Sequence, residues 1–356
     1  MLNEKGKTGL KNKRLLIVVY SLDDNNVVFS HQKLVLKNLV SEFPITHAIA
    51  LYDNNQSLYD FKVPVWGCRW GEGPQFFSIF RYLYIFFKQI LFFRPQVVFF
   101  HMTDSHCALV SPVLSLLNIH QVIWYAHKSN SIGIQISEKF VDRILTSTKG
   151  SFPFESPKVL PVGQSVDSSV FSFKKSRTKL NRGLYVGRFD ESKRIDYIAE
   201  QFDELISEKR VEIIDFWGQP SNKEQFLLWK RKKQELEKQF HWISAAIQDK
   251  LNHDLLPDLL HSYDFFLNAF QGSLDKTMVE ATLAGLPVLT TNQEYLLEFG
   301  IWPGCSMDSS LREQFELISI LDPERLGLIL VNRRNIAETR HGMSQWLQRV
   351  SFALES

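Results

Sequence analysis

The sequence predicts an α/β protein made of two parallel-sheet domains. Three observations carry that prediction. Short apolar runs of the kind that fill a buried parallel strand alternate with helical patterns along the chain. At 356 residues the chain is long enough for two cores of ordinary size. A polar, basic stretch, SFKKSRTKLN at 172–181, separates one strand–helix series from the next and reads as a hinge.

The first strand is the apolar run from Arg14 to Tyr20, which suits the centre of a parallel sheet. A polar loop, Ser21–Asn26, follows. Ser30 then reads as the N-cap of a helix to about Phe43, apolar at Leu34, Val35, Leu39 and Val40. Further strands are expected at Thr46–Leu51, Val97–His101, Gln121–Tyr125 and Arg143–Thr146. Ligands on such sheets collect outside the carboxyl ends of the strands, so Ser21–Asn26, His101–His106 and Ala126–Ser131 are the loops to inspect. His127 directly follows one strand, where an imidazole can face a cleft or simply pack in place.

Phe76–Phe93 is a helix that Pro95 stops, with few polar positions at Arg81, Lys88 and Gln89 and Arg94 just beyond. Apolar on most of its circumference, it fits a buried core helix. It equally fits a basic, aromatic helix lying on an anionic bilayer surface.

From about Asn181 the second series begins, with strands at Gly183–Val186, Val211–Trp217, His241–Ile243, Asp264–Leu267 and Val288–Thr290. The helix within NKEQFLLWKRKKQELEKQF carries mixed charges three and four apart and reads as a solvated face. The region after Pro323 is helical.

Composition excludes several classes. Cys68, Cys107 and Cys305 lie far apart without a CxxC or Cys/His spacing, which points to a reducing compartment and away from disulfides or zinc. A charged start predicts no signal peptide, and no window offers about 20 uninterrupted apolar residues, so no membrane span is expected. Residues 1–165 hold 17 Lys and Arg against 11 Asp and Glu, whereas 166–356 hold 24 against 28. The first half is thus suited to meet something anionic, yet no basic-aromatic motif points to nucleic acid.

Two segments carry chemistry. FLNAFQGSLDKTMVEATLAGLPVLTTN (266–292) runs from a strand through a polar loop into a helix starting near Lys276 and ending at Gly285. Backbone N–H groups and the dipole at such a helix start favour an anionic ligand. Glu280, one turn inside, can accept hydrogen bonds from a diol such as ribose; it also fits an ordinary βαβ unit with a solvated glutamate. GLYVGRFDESKR (183–194) brings a strand to Gly187 and then to Arg188 and Lys193, placed together in an exposed loop. Glycine permits close approach, and the two cations suit a diphosphate.

In this order and at this separation, the two segments resemble the C-terminal half of retaining GT-B glycosyltransferases, in particular glycosyltransferase family four. The resemblance implies two Rossmann-like domains facing each other across a cleft. An acceptor-side domain would span 1–168, a nucleotide-sugar domain 169–335, and a helix at 336–356 would return to the first. It also implies that Gly187, Gly218 in FWGQP, Ser273, Leu274, Asp275, Lys276 and Glu280 hold the donor. Arg188 and Lys193 would stabilise the leaving diphosphate, and His127 would contact the donor sugar. Gly163, Val166, Asp167 and Phe171 match the family's Gly-x-x-Val-Asp-x-x-x-Phe pattern at the interdomain passage.

Some positions depart from the family. Gly272 stands where the first Glu of Glu-x₇-Glu is usual, with Gln271 and Asp275 the nearest polar residues. Ser21–Asn26 replaces a Gly-Gly loop, and HWISAAI (241–247) lacks a glycine usual near the base pocket.

The activity implied is metal-independent, retaining transfer of a hexose-type sugar from a nucleotide diphosphate sugar to a glycan or lipid-linked glycan. The departing phosphate would take the acceptor proton on the same face. No cofactor is expected. The setting would be surface polysaccharide synthesis in the cytoplasm, peripheral to the inner face of the plasma membrane if Phe76–Phe93 touches lipid. A nucleotide-sugar epimerase of the same fold and a non-catalytic GT-B scaffold are the alternatives.

Overall fold

The computed structural model describes residues 13–22, 31–53, 63–173, 179–248, 251–300 and 308–356. The chain forms two compact units: 1–165 with 344–356, and 166–343. The Ser30 cap, the 23–26 part of the first loop and positions 174–178 of the 172–181 hinge lie outside the described residues.

In the first unit the strands are β1 (Leu15–Val19), β2 (Thr46–Ala50), β3 (Val65–Gly67), β4 (Val97–His101), β5 (His120–Trp124), β6 (Arg143–Thr146) and β7 (Val159–Pro161). They pair in the order β3-β2-β1-β4-β5-β6-β7, all parallel. All of β1, LLIVV, is buried, because helices cover both faces of a parallel sheet. β3 and β7 were not expected: three residues are too short for a periodic signal.

The chain leaves β1 toward β2 and returns on its other side at β4, so the two carboxyl ends form a topological switch point. Gln32 organises it. Its Oε1 accepts from the N–H groups of Tyr20 (2.9 Å) and Ser21 (3.1 Å), and its Nε2 lies 3.1 Å from His101 Nδ1. Asp53 completes the turn, accepting from Ser21 Oγ and from Leu22 N. Side chains on neighbouring elements thus hold a backbone that in the family a Gly-Gly loop would shape.

The second unit repeats this logic with β8 (Arg182–Val186), β9 (Ile213–Trp217), β10 (Ile247–Gln248), β11 (Phe265–Asn268) and β12 (Val288–Thr290). Their order is β10-β9-β8-β11-β12, again all parallel, with the switch between β8 and β11. The expected strand at His241–Ile243 is not one. A turn leads into a short helix, Ile243–Ala246, whose Ile243 and Ala246 are spaced to face the core together, and the strand follows at β10. The helix Ile195–Ser207 covers one sheet face through Ile198, Phe202 and Leu205. Lys276–Leu283 covers the other through Met278, Val279 and Leu283.

Pro323–His341 is a single helix, started by Pro323 and capped by Asp322, which accepts from Glu324 N (3.0 Å) and Arg325 N (3.1 Å). Leu326, Leu330 and Ala337 bury against the second unit. The residues that belong with the first unit therefore begin at 344, where the sequence reading began them at 336. There Trp346 is fully buried edge-on to Trp124, and Ala353 O faces His120 Nε2 at 2.9 Å.

Helix Gln75–Phe92 turns Ser78, Tyr82, Phe86, Gln89 and Ile90 inward. Its opposite side is exposed, which excludes the fully buried alternative. Beside it His106 is boxed by Trp70 (4.2 Å), Tyr82 (5.1 Å) and Tyr20 (6.1 Å). Neither of its ring nitrogens has a hydrogen-bond partner, and burial pulls its pKa down to about 4. A histidine depressed in the folded state stabilises fully above its unfolded value of roughly 6.5 and loses that contribution as pH falls toward 4. His106→Phe, which keeps the aromatic volume, is expected to flatten the decline of melting temperature between those limits. Parallel declines in both proteins would show that His106 is not neutral in the folded chain.

Candidate functional site

At the carboxyl end of β8 the pairing with β9 continues into the loops. Gly187 N donates to Trp217 O (3.0 Å), and Phe189 N donates to Gln219 O (3.1 Å). This contact requires glycine at 218: a Cβ there would lie 1.8 Å from the Gly187 carbonyl oxygen. Under the loop Tyr185 donates to Arg188 O at 2.9 Å, and its buried phenol is held well above its usual pKa.

The two cations that the sequence placed together in an exposed loop separate here. Arg188 stays half exposed, its Nε 3.5 Å from Asp190. Lys193 lies on a single 3₁₀ turn, Glu191–Lys193, and is buried. Its Nζ meets Asp275 Oδ2 at 2.5 Å and stands 3.7 Å from the centre of the Phe270 ring. The expectation that it is an exposed loop cation is therefore corrected: its charge is already matched. Burial opposes ionisation of Asp275, but attraction to Lys193, hydrogen bonds from Lys193 and Asn268, and the charge of Arg188 outweigh it. The carboxyl is held below the usual range.

Asp275 precedes the helix Lys276–Leu283 at its N-cap position, yet its side chain caps nothing because it is turned to Lys193. Two asparagines instead shape the loop. Asn268 Oδ1 accepts from Phe270 N (3.0 Å) while its Nδ2 reaches Asp275 (3.2 Å). The Asn292 amide lies 2.8–3.2 Å from the carbonyl oxygens of Phe270, Gly272 and Ser273. Ser273 and Leu274 are buried, Leu274 within the apolar cluster under the helix, so neither side chain faces out. At Gly272 an added Cβ would lie 2.2 Å from the Phe270 ring, so that ring occupies the space a glutamate here would need.

Glu280 is fully buried one turn inside the helix. Its Oε1 faces His253 Nε2 at 3.0 Å and Lys276 Nζ at 3.9 Å, while its Oε2 is buried with no partner. His253 is exposed on a 3₁₀ turn, His253–Leu255, that Asn252 caps. The sequence reading missed His253, Asn268 and Asn292. The asparagines carried a signal, since polar residues ending β11 and following β12 stand where loops need side-chain anchors. His253 carried none, being 27 positions from its partner.

His127 belongs to the first unit, and the other expected residues belong to the second. It is exposed after β5, edge-on to Tyr125 at 5.6 Å. Close by, Ser131 donates to Asp104 and caps Ile132–Phe140 by accepting from Ile134 N. Asp167 accepts from Ser169 N (3.0 Å) and caps the turn Ser168–Val170, a structural role.

Set against known proteins, residues 181–300 match the family described as "Glycosyl transferases group 1". No curated protein matches the chain. Among solved structures, Anabaena Alr3699/HepE in complex with UDP and glucose superposes with a TM-score of 0.74 at 13% identity, covering 97% of this chain and 100% of that one. The fold is GT-B. A glycosyltransferase from Rickettsia africae gives a TM-score of 0.69 at 13% identity, covering 97% and 98% of the two chains. The lipopolysaccharide outer core galactosyltransferase WaaB gives 0.66 at 12% identity, covering 96% and 99%. The match at 181–300 spans both β8 and β11 loops of this GT-B chain.

The Lys193–Asp275 pair yields a stability test. In Lys193→Ala the Asp275 carboxylate keeps its burial and loses its cation, an expected cost of roughly 1–3 kcal/mol in urea unfolding. Because the Asp275 pKa is depressed in the folded state, the pair's contribution is present above the ordinary carboxylate value of about 4 and is lost as pH falls below it. The gap between the two proteins should therefore close in acid. An unchanged urea midpoint at neutral pH would contradict the pairing.

Proposed function

We propose that the chain moves a hexose-type sugar from a nucleoside diphosphate sugar to a glycan or lipid-linked glycan, with retention at the anomeric carbon. The observation that carries this reading is the buried, unpartnered Oε2 of Glu280. Leaving such an oxygen without a donor is costly, and a ribose diol supplies donors at that position. The open N-terminus of Lys276–Leu283 and the half-exposed Arg188 suit the diphosphate. HepE was solved with UDP and with UDP and glucose, and WaaB is a galactosyltransferase, which supports a nucleotide hexose donor.

In the proposed step the bond from the anomeric carbon to the diphosphate oxygen breaks, and the acceptor hydroxyl bonds to that carbon from the same face. The departing phosphate takes the hydroxyl proton. Arg188 and the helix N-terminus stabilise the growing charge without a metal or cofactor. Lys193 contributes by fixing Asp275, and His127 is assigned to the donor sugar. The work would take place in the cytoplasm, in surface polysaccharide synthesis. A second reading, a non-catalytic scaffold, is favoured by Phe270 filling the space at Gly272.

Calorimetry with UDP and GDP tests the site. One of them should bind, and Glu280→Gln should weaken that binding by roughly tenfold, or about 1.4 kcal/mol. Arg188→Ala should lower transfer about 10²-fold at unchanged melting temperature, and excess EDTA should leave transfer intact. Binding without turnover on any nucleotide sugar would favour the scaffold, and equal binding by the Gln variant would remove Glu280 from the site.

A further inference from the structure

The helix Gln75–Phe92 departs from the usual surface helix, which buries its apolar stripe and shows a polar one: it buries Tyr82, Phe86 and Ile90 and is apolar on its outer side as well. Its inner side includes polar groups with partners: Gln89 Oε1 lies 2.7 Å from His47 Nδ1, and Ser78 Oγ accepts from Gly71 N at 3.4 Å. Its outer side carries Phe76 (72% exposed), Phe77 (60%), Phe80 (64%), Tyr84 (63%), Leu91 (68%) and Phe92 (79%). At 100° per residue these positions fall on one side of the cylinder.

The next helix, Asp104–Leu116, buries Cys107, Val110 and Leu114 in the same core cluster as Tyr82 and Phe86, so both helices cover one face of the sheet. Its outer side is likewise apolar, with Leu109, Val113 and Leu116 exposed. Between Glu72 and Glu138 the sequence has one acid, Asp104, which is buried against Ser131. The same stretch contains Arg81, Lys88, Arg94 and Lys128. Lys88 and Arg94 are exposed, Lys88 on the same side of the helix as Phe77 and Phe92 and Arg94 just past the helix end.

We propose that the outward side of Gln75–Phe92 docks the first unit on an anionic bilayer surface, with the helix lying in the plane and its rings at headgroup depth. An exposed apolar face on a helix that carries cations and no acid has the chemistry of that surface. A second copy of the chain fits less well. A two-fold contact would lay one cation-bearing face on another, and the helix Gln75–Phe92 supplies no acid to pair with them. No helix among the described residues is long and apolar enough to cross a membrane, so the helix rests on the bilayer. Arg81 donates to Cys68 O (3.1 Å) and Arg69 O (3.3 Å), which ties the loop after β3 to the docked helix. Docking therefore brings a carboxyl end of the sheet to the lipid. The inference stands apart from the transferase reading, since it concerns binding and not turnover.

The test is flotation of the full chain with vesicles of phosphatidylcholine and of phosphatidylglycerol. Binding is expected on phosphatidylglycerol and should fall with added salt. A variant with Phe76→Ser, Phe77→Ser and Phe80→Ser should bind at least about tenfold more weakly at an unchanged melting temperature, because these rings are mostly exposed and none belongs to the buried core. Lys88→Gln with Arg94→Gln should remove the preference for the anionic lipid. No binding to phosphatidylglycerol, or equal binding by the serine variant, would overturn the proposal. So would a dimer seen by light scattering that the serine variant dissolves while vesicles stay unbound.

Discussion

A buried ammonium sets the geometry of the second unit. Lys193 on the loop after β8 reaches Asp275 on the loop after β11, and these are neighbouring strands at the switch point. An ion pair removed from water holds only where the partners fit closely, because desolvation offsets much of the attraction. Phe270 completes the enclosure by laying its ring against the ammonium. With the two loops joined, Asp275 leaves the N-terminus of Lys276–Leu283 uncapped by its side chain. Glu280 follows one turn later with an oxygen to spare. The same substitution logic explains Gly272. A carboxylate is present beside Lys193, but it comes from Asp275, and an aromatic ring fills the space at position 272.

Much of this was legible from residue order. β1, β4, β8, β11 and β12 are continuous apolar runs, and their buried positions follow directly from that pattern. Gly187 and Gly218 stood out as strand-end glycines, and the structure shows why no side chain fits at 218. What sequence could not supply was the direction of a side chain. Arg188 and Lys193 look alike in GRFDESK, yet the 3₁₀ turn at 191–193 sends one outward and the other inward. The His253–Glu280 contact joins residues from separate elements, which local spacing does not encode. β10 was misplaced for a similar reason: in HWISAAI the apolar residues satisfy helical and extended spacings equally, and packing against the core decided for a helical turn first.

The first unit poses a different constraint. Its β1/β4 switch point is held by Gln32 and Asp53, side chains that hydrogen-bond the backbone where a glycine loop would otherwise be expected. Four of its phenylalanines, Phe76, Phe77, Phe80 and Phe92, lie exposed on one helix. Composition alone left the Gln75–Phe92 helix equally suited to burial or to a lipid surface. The exposure of Phe76, Phe77, Phe80, Tyr84, Leu91 and Phe92 excludes full burial.

In the function proposed above, the β8 and β11 loops, with Glu280, form one nucleoside diphosphate site. Hydrogen–deuterium exchange of the full chain, with and without UDP or GDP, tests it most directly. Slowed exchange is expected at 187–190, at 253 and across 272–281 with one of the two nucleotides. Slowed exchange confined to other segments, or none with either nucleotide, would contradict it.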